Sequence, residues 1–143
     1  RQIQQLNIFK DRNKYFLLEN NLSALGNFHI KNFIMFESDC YKVKRYYNIR
    51  FDNSKTRNIC FEATIQYQSS YDQSLPIKYV IYGPNKEEFF SEVLFCNVVA
   101  TNSEVNFSGG CGYTQRGGWI KGKYVLLLFL NNLKVIKSYF YIY

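Results

Sequence analysis

The stretch from Trp119 to Tyr143 constrains the fold of this chain more than any other. Residues 125–130 form an unbroken apolar run, Asn131-Asn132 interrupts it, and a second run rich in apolar residues continues from Leu133. A helix that crosses a bilayer needs about 20 consecutive apolar residues, and neither run approaches that length. Asparagine tolerates the positive φ that both central residues of a tight two-residue turn require. The segment therefore predicts a β-hairpin closing a β-sandwich.

The rest of the composition agrees. The chain is 47% hydrophobic and 19% aromatic, with 13 Tyr and 13 Phe, residue types that fit a pleated, half-buried surface better than a helix face. Its 143 residues suffice for one domain with a genuine core and are too few for two ordinary ones. From Phe28 onward, strand-length runs at 28–37, 45–51, 57–68, 77–82, 89–100 and 105–107 precede the closing hairpin. The expectation is an all-β, immunoglobulin-like antiparallel sandwich of about eight strands over residues 28–143, with residues 1–27 as an N-terminal arm or extra edge element. In 57–68, Ile59, Phe61, Ala63 and Ile65 share one face while Cys60, Glu62, Thr64 and Gln66 share the other, as a period of two requires. Pro76 and Pro84 lie between apolar runs and are expected to mark loops. Tyr124, two residues after Gly122 at a strand entry, stands where immunoglobulin-like sandwiches use a tyrosine to tie a corner, and is expected to be structural. Trp119 before it either packs over the end of the core, as a tryptophan leading into a strand tends to, or serves as a surface anchor.

The pattern from Arg45 to Tyr143 resembles a bacterial immunoglobulin-like accessory domain found appended to repeat-containing or peptidase-like proteins. The resemblance rests on Arg45-Tyr46-Tyr47-Asn48-Ile49-Arg50-Phe51, Thr56-Arg57-Asn58-Ile59-Cys60-Phe61-Glu62, Tyr82-Gly83-Pro84-Asn85, Gly109-Gly110-Cys111-Gly112, Trp119, Gly122-Lys123-Tyr124 and Phe140. That pattern commonly has Trp where Phe61 stands and Pro where Lys121 stands. The resemblance implies a non-catalytic module and carries no functional residues with it.

Chemistry-bearing patterns are sparse. The four cysteines, Cys40, Cys60, Cys96 and Cys111, form no Cys-x-x-Cys pair, and the single histidine, His29, lies in an alternating strand-like run, so a zinc site is not expected. An even cysteine count allows disulfides in a secreted chain, and buried free thiols are the other reading. If a bridge forms, Cys96 with Cys111 is preferred, because the two flank a turn around Asn102-Ser103-Glu104. Met35 is the only methionine, so the sequence is either a processed mature form or a piece of a longer protein; an extracellular or cell-surface location is the expectation. Glu87, Glu88 and Glu92 follow a turn, without the cleft that would separate their pKa values for acid–base work. Ser108-Gly109-Gly110-Cys111-Gly112 lacks the following helix and Lys-Ser or Lys-Thr of a phosphate-binding loop, and its glycines predict a bulge or a close backbone crossing. No catalytic residue, metal ligand or cofactor is expected.

Net charge is +7, and the excess is densest at Lys42, Lys44, Arg45, Arg50, Lys55 and Arg57, which face only Asp52. With the neighbouring tyrosines these residues would hold phosphates and stack bases, yet a basic β-strand has the same appearance, and nucleic acid is the least favoured partner. The leading expectation is a non-enzymatic module that recognises another protein or copies of itself, through an exposed sheet edge or an aromatic patch of Tyr113, Arg116 and Trp119. The alternative is a carbohydrate-binding, lectin-like module in which exposed rings stack on sugar faces.

Overall fold

The computed structural model describes residues 17–18, 27–38, 45–47 and 49–143. Among these residues the chain forms two β-sheets and no helix, and therefore no helix long and apolar enough to cross a membrane. The smaller sheet runs β3 (Arg45–Tyr47), β2 (Asn27–Ser38), β5 (Asn58–Gln68) and β8 (Glu104–Gly112), all antiparallel. The larger runs β1 (Leu17–Leu18), β10 (Leu133–Ile142), β9 (Gly122–Leu130), β6 (Gln73–Tyr82) and β7 (Glu88–Val98), while β4 (Arg50–Phe51) lies parallel to β10.

Period-two alternation sets the inner faces. On β5, Ile59, Phe61, Ala63, Ile65 and Tyr67 are buried, and across the sandwich Ile77, Tyr79 and Ile81 of β6 and Tyr124, Leu126, Leu128 and Leu130 of β9 meet them. Fully burying one such side chain stabilises the fold by roughly 1.5–3 kcal/mol. Two bulges keep the faces in phase where the sequence breaks the alternation. One between Ile30 and Asn32 on β2 keeps Ile30 and Phe33 buried, and one between Lys134 and Ile136 on β10 keeps Val135 and Ile136 buried together.

The predicted hairpin is β9–β10: Asn131 and Asn132 have φ of 49° and 67°, and Leu130 pairs with Leu133 across them. Two local expectations need correction. Residues 45–51 are not one strand. β3 pairs with β2 in the smaller sheet, whereas β4 pairs with β10 in the larger, held by the Tyr141 N–H on the Ile49 carbonyl (2.7 Å) and the Asn53 N–H on the Tyr143 carbonyl (2.8 Å). Pro76 lies inside β6 rather than in a loop. Its carbonyl accepts the Asn131 N–H at 2.9 Å, and the N–H and carbonyl of one strand residue point the same way, so its missing N–H falls where the β9 ladder has already ended at Ile77↔Leu130.

The tips of buried aromatics bond to backbone in other elements. The Tyr124 hydroxyl donates to the Ile120 carbonyl (2.7 Å), Trp119 Nε1 donates to the Arg57 carbonyl (2.8 Å), and the Tyr67 hydroxyl donates to the Val99 carbonyl (2.9 Å) while accepting its N–H (3.1 Å). A tyrosine at the start of the penultimate strand, bonded to backbone a few residues upstream, is the tyrosine corner of immunoglobulin-like domains. Leu126, two residues on, stands where an antibody domain has a core cysteine. With the β-sandwich of two antiparallel sheets and β4 crossing to lie along β10, this makes the fold immunoglobulin-like.

Candidate functional site

The sequence-predicted aromatic patch is turned into the core. Trp119 is 1% exposed, stacked on Phe89 at 5.1 Å and edge-on to Tyr113, Tyr124 and Phe140. It therefore cannot act as a surface anchor: its ring area is already spent on the end of the core, and its indole N–H is satisfied by Arg57. Tyr113 is half-buried against it, and only Arg116 is exposed, donating Nε to the Lys55 carbonyl (3.2 Å). Tyr124 lies beside Trp119 at the same end of the core. It is buried, stacked on Phe140 at 5.0 Å, and burial pushes its phenol up to about 12.

The basic stretch does not form one surface among the described residues. Lys42 and Lys44 lie outside them, as does Cys40. Arg45 belongs to β3 of the smaller sheet, whereas Arg50 belongs to β4 of the larger, its guanidinium 5.9 Å from the Tyr141 ring and 5.3 Å from Tyr143. Lys55 and Arg57 follow in the connection to β5, where their carbonyls accept Arg116 and Trp119. Asp52 opens that turn, and hydrogen bonds from the Ser54 hydroxyl and N–H hold its carboxyl below the usual carboxylate range.

Cys96 and Cys111 are both free thiols. Cys96 on β7 pairs with Leu75 of β6 in the larger sheet, whereas Cys111 on β8 pairs with Ile59 of β5 in the smaller, next to Gly110, whose N–H and Glu92 meet at the same Tyr79 hydroxyl. Glu92 and Cys96 are four residues apart on one strand, roughly 13 Å at 3.3 Å per residue, well beyond the ~7 Å Cα separation a disulfide spans. Burial first, then Cys60 and Glu92, pushes the Cys111 thiol up to about 12, and burial also raises Cys96. Both behave as small core hydrophobes. The close contact at Gly109 is with two core rings rather than with a bulge or a crossing backbone: a Cβ there would meet the Tyr79 ring at 2.7 Å and Phe61 at 2.8 Å. Tyr79, fully buried, donates its hydroxyl to Glu92 Oε1 (2.7 Å) and accepts the Gly110 N–H (3.0 Å), joining β6, β7 and β8 at the open side of the sandwich.

The surface that stands out is the outer face of the larger sheet. An antiparallel sheet with one face on the core carries polar residues on the other, yet here the outward rows are mixed. Tyr82, Val125 and Tyr139 form one row across β6, β9 and β10; Val80, Leu127 and Lys137 form the next; Lys78, Phe129 and Lys134 the third. Val80 is buried beneath its neighbours, and on edge strand β7 Phe95 and Val93 are 69% and 52% exposed. At the end of this face nearest the β6–β7 turn, a groove of about 390 Å³ has Val125 and Leu127 on its floor and Tyr82 and Tyr139 in its walls, with Lys86, Lys123, Lys134 and Lys137 around it. Lys123 Nζ is 4.1 Å from the Tyr139 ring centroid and Lys137 Nζ 5.7 Å, so both ammoniums are drawn to one ring. Gly122, at φ 143°, admits the Pro84 ring against its backbone, where a Cβ would meet Pro84 at 2.6 Å, and this packs the β6–β7 turn onto the groove. The hairpin turn alone would set Leu127 opposite Ile136 and Val125 opposite Ser138; the bulge between Lys134 and Ile136 shifts the register by one residue and brings Lys137 and Tyr139 to the outward face beside them, so no local sequence signal reported this groove. A second, more polar depression, at His29, Gln66, Gln68 and Ser103, includes Tyr67, whose ring is buried and whose hydroxyl is committed to Val99.

Compared with protein-family models and with curated proteins, the sequence finds no match. Solved structures share the architecture at low identity. The chain aligns over 85% of its length with 33% of the alkylpurine DNA glycosylase AlkC of Pseudomonas fluorescens, a structure bound to DNA containing an abasic site analogue (11% identity, TM-score 0.54). It aligns over 84% with 99% of an immunoglobulin-like protein from Pseudomonas aeruginosa (13%, 0.46), and over 80% with 16% of a β-glucosidase from Listeria innocua in complex with glucose (11%, 0.49). The chain thus spans about a third of the length of the glycosylase, and the similarity to it is one of fold.

Proposed function

We propose that this domain is a non-catalytic recognition module that docks another protein, or a second copy of itself, through the outer face of its larger sheet. The observation that carries this reading is the apolar and aromatic content of a face turned to solvent, above all Phe95 and Val93 on the edge strand β7. Exposed aromatic rings set in a rigid sheet lose little conformational entropy on binding and supply much of the energy of protein interfaces. A neutral sugar is served less well. Among the described residues, the lysine-rimmed groove has no Asn, Gln, Asp or Glu in its lining to bond hydroxyls, and the more polar depression has no exposed Tyr, Trp or Phe ring to stack on one.

Size-exclusion chromatography with light scattering on the wild type and Phe95→Glu tests the reading. An oligomer that Phe95→Glu dissolves to monomers supports self-assembly through this face. A wild-type monomer removes self-assembly and leaves a different chain as the partner. An oligomer that survives Phe95→Glu contradicts the assignment of the face.

A further inference from the structure

We propose that the free edge of β7 takes up an extended basic segment of another protein as an added strand, with a Lys or Arg side chain set against Glu92. This names the partner for the recognition reading above and rests on it. Among the described residues, β7 ends the larger sheet and pairs only with β6. The Pro76 carbonyl points to β9, where it accepts the Asn131 N–H, so the Pro76↔Phe95 pair exchanges no bonds and the Phe95 N–H and carbonyl point to the open side. The register is unbroken from Gln73↔Val98 to Ile81↔Phe90, so the backbone groups of Ser91, Val93 and Asn97 point there too. Natural edges are guarded by Lys and Pro, and the 11 residues of β7 include neither. Its unpaired groups form a template for a further strand. Edge strand β8 offers less, because its Gly110 N–H is already held by the Tyr79 hydroxyl at 3.0 Å.

The side chains define the segment. Glu92 and Leu94 pair with Tyr79 and Ile77 and so face the seam between the sheets, as do Val105 and Phe107 of β8 beside Ile65 and Ala63. Their partners are buried, whereas Leu94, Val105 and Phe107 are only half-buried and Glu92 is exposed, so the seam is open along this side. An added strand sets every second side chain over it, an apolar one opposite Leu94 and a cation opposite Glu92. Glu92 Oε1 accepts the Tyr79 hydroxyl, and the carboxylate has no ion-pair partner among the described residues. Lys78, next to Tyr79, pairs with Val93 and lies on the opposite face. Residues 87–115 hold four carboxylates, Glu87, Glu88, Glu92 and Glu104, and no Lys, Arg or His, in a chain of net charge +7. Glu104 is paired with Lys31 at 2.7 Å. This stretch is thus the acidic part of a basic protein and favours a basic segment. A second copy pairing β7 with β7 would bring no cation to Glu92, since the strand has none.

The test is fluorescence anisotropy of a labelled peptide alternating threonine with valine and bearing one central lysine, titrated with the full chain. The wild type is expected to bind it saturably, about tenfold more tightly than the same peptide with glutamate for lysine. Glu92→Gln, which keeps an acceptor for Tyr79, should erase that preference. Val93→Pro removes an N–H that points to the open edge and not to β6, and should weaken binding about tenfold or more. Thermal unfolding checks that each variant folds, and a peptide N-methylated along its centre, which should not bind the wild type, tests strand pairing without altering the protein. Binding that survives Phe95→Glu but not Val93→Pro supports the edge, whatever becomes of the outer face. Binding lost with Phe95→Glu and kept with Val93→Pro would return the docking to the face and overturn the edge. Absence of binding, equal binding of the N-methylated peptide, or a lysine preference that survives Glu92→Gln would also overturn it.

Discussion

At the scale of single residues, stability depends on aromatic side chains that are apolar in the core and polar at one backbone contact. Tyr124 is the clearest: its ring is buried on Phe140, and its hydroxyl satisfies the Ile120 carbonyl. Tyr124→Phe keeps the ring and leaves that carbonyl without its donor, which costs about 1–2 kcal/mol, read as a lower urea midpoint at pH 7. The same residue has a pH signature. Burial raises its phenol from 10.0 to about 12, so the folded state holds the proton more tightly than the unfolded state does. Its contribution is therefore complete below pH 10 and is lost as pH rises toward 12. The urea midpoint of the wild type should fall over that interval, and Tyr124→Phe should fall less steeply. Equal slopes would show that this phenol does not titrate differently in the two states.

The strands and turns divide into those that could be read locally and those that could not. The β9–β10 hairpin was legible because its two signals, apolar runs and a turn pair that accepts positive φ, are adjacent in sequence. Asn131→Val places a β-branched residue at φ 49° and should cost roughly 1–2 kcal/mol, whereas Asn132→Gly should cost nothing; thermal unfolding of the two variants makes the comparison. The break between β3 and β4 was not legible, because it depends on which sheet each half joins, a choice made by β2 and β10 far away in sequence. Pro76 was misplaced for a related reason: its tolerance inside β6 depends on where the β9 ladder stops, which no local signal reports. The Cys96–Cys111 pairing failed because β7 and β8, which flank the turn, belong to different sheets and pair with β6 and β5 rather than with each other, so similar distances along the chain from the turn do not set the two thiols side by side.

For the whole molecule, the sandwich and its inner faces follow from alternation, while the candidate surface arises from the assembly of distant parts. Lys86, Lys123, Lys134 and Lys137 are unremarkable in sequence and converge only once β6, β9 and β10 share a sheet. The stretch with the densest positive charge is instead divided between two sheets, and the one tryptophan is consumed by the core. Charge density along a chain is thus a poor guide to charge density on a β-sandwich, where neighbours in space alternate in face and come from different strands. The central claim is that the outer face of the larger sheet is the working surface. The native mass of the wild type beside Phe95→Glu, by size-exclusion chromatography with light scattering, tests it most directly. The account predicts that Phe95→Glu dissolves the assembly that the wild type forms through this face. An assembly that survives Phe95→Glu would contradict it.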